Sequence, residues 1–139
     1  MRDLTRFTSY ARPGTTGPVV GSNIKALVEK SAFPAVQWDR YLCVVVTAPG
    51  CNLCRKVSLE ELSSLRKAWS RDFQFVEFSK GGAPVLPPGF STPDLLENLA
   101  IHVTPYSMII DTDLNVVAAG LVNSPIQIET LIESVKMNS

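Results

Sequence analysis

The sequence is poor in cysteine and in histidine and has no surplus of charge of either sign, and each shortage removes a class of function. Its three cysteines, Cys43, Cys51 and Cys54, are odd in number and too few to staple a small secreted scaffold. Lys plus Arg total 13 and Asp plus Glu total 13, which leaves no net field to hold phosphates. No basic patch interleaved with aromatics is visible either, so nucleic acid is not an expected partner. Apolar runs such as Leu42–Val46 fall far short of the roughly 20 residues that cross a bilayer, so no span is expected. Met1–Tyr10 carries scattered arginines without an apolar stretch and does not make a signal peptide. As written, the chain reads as cytoplasmic; the alternative is an extracytoplasmic protein trimmed after an anchor helix.

What is present is an ordinary globular composition. Of the 139 residues, 45% are hydrophobic and 19% charged, enough for one domain with a substantial core and no metal or disulfide support. Residues 1–22, rich in Gly, Pro, Ser and Thr, read as an extended arm, and residues 23–139 as the folded domain. Ser22, Ile24, Leu27 and Val28 suit a short amphipathic helix or a strand, and the sequence leaves that choice open. Tyr41–Thr47 is a β-branched apolar run closed by Pro49-Gly50, as expected of a strand buried on both faces.

From Asn52 to about Ser70 the spacing turns helical, with Leu53, Val57, Leu62, Leu65 and Trp69 on one side and Arg55, Lys56, Glu60, Arg66 and Lys67 elsewhere. Phe73–Ser79 reads as a second strand, and strand, helix, strand makes a parallel βαβ unit. Residues 80–91 hold too many prolines and glycines for regular structure, and a connector of that length is a candidate lid. A short helix is expected next, with Thr92 as N-cap, Pro93 at its first position and Leu95, Leu96 and Leu99 inward. Residues 106–111 and 115–121, joined by a turn through Thr112, predict a β-hairpin. Ser124, Pro125 and Gln127 open a final helix that runs through Ile128, Leu131, Ile132 and Val135.

The chemistry lies where the first strand meets its helix. A C-x-x-C at that junction places Cys51 at a helix N-terminus, where unpaired N–H groups and the helix dipole favour thiolate over the ordinary thiol. Cys51 is therefore the candidate nucleophile. Cys54, one turn further along the same face, is placed to attack a mixed disulfide at Cys51 and so to resolve it.

These features resemble the thioredoxin superfamily, and within it the extracytoplasmic thiol–disulfide proteins of the TlpA and methylamine-utilisation MauD type. The resemblance covers roughly residues 17–136 by element order and rests on three stretches: Thr47-Ala48-Pro49-Gly50-Cys51-Asn52-Leu53-Cys54, Val103-Thr104-Pro105-Tyr106, and Gly120-Leu121-Val122-Asn123-Ser124. It implies an α/β thioredoxin fold, a central mixed sheet of βαβ plus ββα flanked by helices. It further implies a cis Thr104–Pro105 peptide facing the cysteines, with Thr104, Pro105, Pro49 and Gly50 contacting an extended substrate segment. The implied protein is a monomer that exchanges disulfides with protein cysteines and with a separate electron donor or acceptor. It needs no cofactor beyond the redox-active Cys51–Cys54 disulfide. Two departures stand out: the family's buried aspartate six residues before the first cysteine is Val45 here, and its tryptophan just before that cysteine is Gly50. Glu77, on the next strand, is the candidate replacement as proton acceptor.

Blander readings compete. Cys43, Cys51, Cys54 and His102 could be four zinc ligands, although structural zinc sites favour two closely spaced pairs, so no metal is expected. The alternative function is then a redox-inactive module of the same fold that binds a partner or a metal. Cys43, flanked by Leu42 and Val44, reads as a core residue, and His102 as a surface or helix-end residue. Trp69, Phe73, Phe75 and Phe78 read as core.

Overall fold

The computed structural model describes residues 17–30, 39–52, 54, 62–81, 89–122 and 125–137. In chain order the elements are α1 (Lys25–Lys30), β1 (Tyr41–Thr47), α2 (Leu62–Trp69), β2 (Phe73–Ser79), β3 (Gly89–Ser91), α3 (Pro93–Asn98), β4 (Tyr106–Ile110), β5 (Val116–Leu121) and α4 (Pro125–Met137).

The strands form one mixed sheet in the order β3-β2-β1-β4-β5. β1, β2 and β3 run parallel, while β4 is antiparallel to β1 and to β5. Side chains of a strand alternate between faces, so a strand covered on both must be apolar throughout, and β1 is buried from Leu42 to Thr47. On one face Leu42, Val44, Val46, Val76, Phe78 and Met108 pack with Ile24, Leu95, Leu96 and Leu99, from the side of α1 and α3. On the other, Cys43, Val45, Phe73, Phe75 and Ile109 pack with Leu65 of α2 and with Ile128, Ile132 and Val135 of α4. The expected α/β architecture, with βαβ followed by ββα, is present; Phe73, Phe75 and Phe78 are in the core as expected, Trp69 is half-buried against it, and Phe73 stacks on Tyr41 at 5.3 Å.

Between Ser22 and Val28 the structure chooses helix. Asn23 decides it: its Oδ1 accepts the Lys25 N–H at 3.0 Å and starts α1. Residues 17–22, read as part of an arm, lie as a strap: Gly17 N–H donates to the Ala100 carbonyl at 2.7 Å, and Gly21 N–H to the Val116 carbonyl at 2.7 Å. Gly17 is required there, because its φ of +87° disfavours any side chain and a Cβ would overlap the Tyr106 hydroxyl. Residues 1–16 lie outside the described residues.

Two expectations are corrected. The connector 80–91 is not wholly irregular: Gly89–Ser91 pair in parallel with Glu77–Ser79, and the Phe90 ring meets Phe78 edge-on with centroids 6.4 Å apart. A single aromatic anchor on an open strand edge outweighs the local preference of the glycine and prolines around it. Thr92 does precede α3 and Pro93 opens it, but the Thr92 side chain makes no cap hydrogen bond, and its Oγ1 is buried without a partner among the described residues. The backbone serves instead, the Thr92 carbonyl accepting the Leu96 N–H at 3.1 Å.

In the helix expected over 52–70, Asn52, Cys54 and residues 62–69 are helical. Leu53, Arg55, Lys56, Val57 and Glu60 lie outside the described residues, as do Gly82, Pro87, Pro88, Asn123 and Ser124. The hairpin forms as expected and is closed by Asp111, whose carboxylate accepts the N–H groups of Asp113 and Asn115, each at 2.9 Å. α4 is anchored at its C-terminal end by Lys136, whose Nζ lies 2.9 Å from Asp72.

Candidate active site

β1 delivers the cysteines. At its end the chain reverses through Ala48-Pro49-Gly50-Cys51, where the Cys51 N–H donates to the Ala48 carbonyl at 3.3 Å and Gly50 has φ +76°. Proline second and a positive-φ glycine third is the pattern of a type II turn, which gives a physical reason for glycine at the position before Cys51. Pro49 and Gly50 are exposed, and Cys51 is half-buried.

Cys51 and Cys54 are joined in a disulfide. The two sulfurs differ: Cys54 is 2% exposed, whereas Cys51 is accessible and its Sγ accepts the Cys54 backbone N–H at 3.1 Å. After reduction that N–H would favour a thiolate on Cys51, because a donor aimed at sulfur stabilises the charged form.

The same end of the sheet gathers the other candidates. β4 pairs Tyr106 with Val46, which brings the residue before it, Pro105, to the end of β1 from which the cysteine turn leaves. The Thr104–Pro105 peptide is cis, Pro105 is buried, Thr104 is half-buried, and the Pro105 carbonyl accepts the Val122 N–H at 3.1 Å. Beside β1, Ser79 bonds the backbone of Gly81, and Gly81 lies against Pro49. Thus the start of the connector after β2 runs close to the cysteine turn; Gly82 to Pro88, the centre of the expected lid, lie outside the described residues.

Glu77 is 1% exposed, the one carboxylate among the described residues that is buried. It pairs in register with Val45, the position where the resemblance leads one to expect an aspartate. Its Oε2 accepts the Thr47 hydroxyl at 2.7 Å, a contact that sequence reasoning missed. Thr47 looks like an ordinary strand residue, and nothing in the sequence states which side chains face one another across a parallel ladder.

Cys43 lies apart from this constellation in the core, with 0% exposure and its Sγ 3.9 Å from the Ser107 hydroxyl. Burial pushes its thiol up to about 12 from 9.0, and the Ser107 contact offsets only part of that. At pH 8 about one molecule in ten thousand then carries a Cys43 thiolate. Iodoacetamide is therefore expected to leave Cys43 unmodified in the native protein and to alkylate it in urea; native alkylation at the rate of a free thiol would contradict the buried placement. The unfolded thiol ionises first, so the stability gained by keeping Cys43 neutral is complete below pH 9 and is lost as pH rises from there toward 12. Urea melts from pH 8 to 11 should show that slope flattened in Cys43→Ala. His102 is exposed. No three of Cys43, Cys51, Cys54 and His102 come together as a metal-binding group.

The sequence matches no protein-family model and no curated protein. Solved structures do match. A DsbF homologue from Corynebacterium diphtheriae superposes with a TM-score of 0.57 at 12% identity, covering 91% of this chain and 98% of that one. A thiol:disulfide interchange protein of the thioredoxin family from Chlorobium tepidum gives 0.53 at 19%, covering 89% and 97%. Thioredoxin f from spinach chloroplast gives 0.55 at 13%, covering 84% and 85%.

The chain has the thioredoxin fold. In it the Cys51–Cys54 disulfide occupies the turn between β1 and the helix that follows, the arrangement on which a redox role rests. No helix among the described residues is long and apolar enough to cross a membrane.

Proposed function

We propose that this thioredoxin-fold chain is a thiol–disulfide oxidoreductase of the TlpA and MauD type acting on protein cysteines. The observation that carries the proposal is the asymmetric Cys51–Cys54 disulfide: an accessible sulfur that accepts a backbone N–H, joined to a buried one. Reduced Cys51 attacks a substrate disulfide as thiolate; a Cys51–substrate sulfur bond forms and one substrate thiolate leaves. Cys54 then attacks Cys51, the internal disulfide forms, and the second substrate thiol is released. Run backwards from the oxidised pair, the same steps oxidise a substrate dithiol.

The substrate enters as an extended segment along Thr104 and Pro105, with Pro49 and Gly50 as the exposed rim beside Cys51. Glu77 is the proton acceptor for Cys54; a carboxylate held in the core beside Val45 supports that assignment. The working unit is a monomer, and its redox group is the disulfide itself, with no metal or organic cofactor. A separate donor or acceptor resets the pair. We place its work outside the cytoplasm, in line with the TlpA and MauD resemblance and with the conditions under which protein disulfides persist.

The test is an equilibrium titration of the pair in glutathione and dithiothreitol buffers, read by thiol trapping and mass spectrometry with Cys43 as the unreactive reference. A single two-electron transition is expected. A midpoint of about −270 mV marks a reductant and one of about −120 mV an oxidant. A pair that forms no internal disulfide at any poise would leave the redox-inactive binding module as the account.

A further inference from the structure

We infer that Gly17 is a positioning residue for substrate binding: it ties together the two ends of the loop that presents Thr104 and Pro105, and so holds that loop ready for an extended substrate segment. The inference rests on the oxidoreductase reading above and adds to it a residue outside the cysteine turn and far from it in sequence. The loop leaves α3 at Ala100 and enters β4 at Tyr106. Gly17 meets both. Its N–H donates to the Ala100 carbonyl at 2.7 Å, and it packs so closely on the end of the Tyr106 ring that a Cβ would overlap the hydroxyl. Gly17, Pro18 and Tyr106 are buried, whereas His102 and Val103, between the two ends, are exposed.

The two ends differ in how firmly the rest of the fold holds them. α3 closes with the Ile101 N–H donating to the Leu96 carbonyl at 3.1 Å and the Ala100 N–H to the Glu97 carbonyl at 2.9 Å. That closure needs a left-handed residue, ordinarily glycine. Here it is alanine at φ +58°, a conformation its Cβ disfavours. The left-handed turn aims the Ala100 carbonyl at the Gly17 N–H, so this hydrogen bond offsets part of the strain. Tyr106, by contrast, is paired on both sides, opposite Val46 and Leu121, and the Pro105 carbonyl accepts the Val122 N–H. Tyr106 is therefore the fixed wall, and Gly17 ties the weaker end to it across the base of the loop.

Gly17 is itself held from behind. The Gly21 N–H donates to the Val116 carbonyl at 2.7 Å, the Val116 N–H to the Ser22 carbonyl at 2.8 Å, and the Ile24 N–H to the Leu114 carbonyl at 2.8 Å. The strap thus runs from the β4–β5 hairpin to the base of the loop. A side chain at position 17 must displace either the strap or Tyr106, and Tyr106, bonded into the sheet on both sides, is the harder to move. The strap gives way, the Ala100 bond is lost, and the loop must be ordered anew by whatever binds it. An extended peptide bears that ordering cost, while a small disulfide that reaches only Cys51 does not.

The experiment measures exchange by the full chain with an oxidised model peptide and with 2-hydroxyethyl disulfide, beside amide hydrogen exchange over residues 101–104 read by mass spectrometry. Gly17→Ala is expected to raise KM for the peptide about 10-fold at unchanged kcat and to speed amide exchange in the loop about 10-fold. Its rate with the small disulfide should stay at the wild-type value. Gly21→Ala is the control: at φ +101° it suits a side chain no better, yet a Cβ there meets nothing. It should lose stability and keep the wild-type KM and loop exchange. Tyr106→Phe removes only the hydroxyl on which Gly17 packs; it should raise the peptide KM about 3-fold, and it carries the test if Gly17→Ala does not fold. A wild-type KM in folded Gly17→Ala, or in Tyr106→Phe where Gly17→Ala does not fold, overturns the inference. So do equal effects of Gly17→Ala and Gly21→Ala, or equal slowing with peptide and small disulfide; each leaves the oxidoreductase reading standing. Wild-type protein that exchanges with neither disulfide overturns that reading and the substrate role of the loop with it.

Discussion

Replacing Cys51 by serine is expected to lower disulfide exchange by about a thousandfold or more, because a serine hydroxyl at neutral pH is neither ionised nor nucleophilic enough to open a disulfide. Cys54→Ser should behave differently. Its Cys51 still attacks, but no second thiol remains to displace the substrate, so a stable mixed disulfide accumulates that mass spectrometry reads as enzyme plus peptide. The half-buried sulfur of Cys51 and the 2% exposure of Cys54 set this order, since a bulky protein disulfide reaches only the first. The measurement is turnover of an oxidised peptide with trapped intermediates resolved by mass, Cys43→Ser serving as the control that should leave the rate unchanged. Wild-type activity in Cys51→Ser would refute the assignment of the nucleophile, and trapping through Cys54 instead would reverse the roles.

The positions of these cysteines were legible because local rules and tertiary structure agree around them. A β-branched run, a Pro-Gly break and a helical spacing each need only their own neighbours, and β1 and β2 lie within the ranges expected for them. Where neighbours speak ambiguously, the sequence does too: the Ile24 segment became a helix through one Asn23 side chain. β3 was hidden because three residues at a sheet edge are held by the Phe90–Phe78 contact, which no local preference announces. The Thr47–Glu77 bond was hidden for a related reason. Glu77 could be suspected as a lone acid in an apolar strand, but which hydroxyl it meets depends on the register of two strands 30 residues apart. The Thr92 expectation shows the converse error, a residue of the right type at the right place whose buried side chain makes no cap hydrogen bond and has no partner among the described residues.

Phe78→Ala is expected to cost about 3–5 kcal/mol, the largest loss of stability foreseen for a single truncation in this chain. Phe78 is 1% exposed, one residue before the end of β2, packs in the core beneath α1 and α3, and supplies the ring against which β3 is held. Its removal takes away apolar surface and leaves a void that the paired strands β1 and β3 on either side cannot close without breaking their ladders. Against a typical total of about 5–15 kcal/mol the loss is a large fraction, and in a domain of this size it lowers the melting temperature by roughly 10–20 °C. Phe90→Ala should cost less, since that ring is only half-buried. Urea denaturation of both variants beside wild type checks the ranking, and a Phe78→Ala loss below about 1 kcal/mol would mean that the sheet does not close over this side chain as described. Because Phe78 lies between Glu77 and Ser79, the variant is also expected to loosen the carboxylate that Thr47 holds and the Ser79–Gly81 contact beside Pro49. Exchange by the folded fraction should therefore fall along with stability, whereas an equally destabilising truncation at the other end of the same core, such as Ile110→Ala at the end of β4 away from the cysteine turn, should lower stability and leave the exchange rate per folded molecule unchanged.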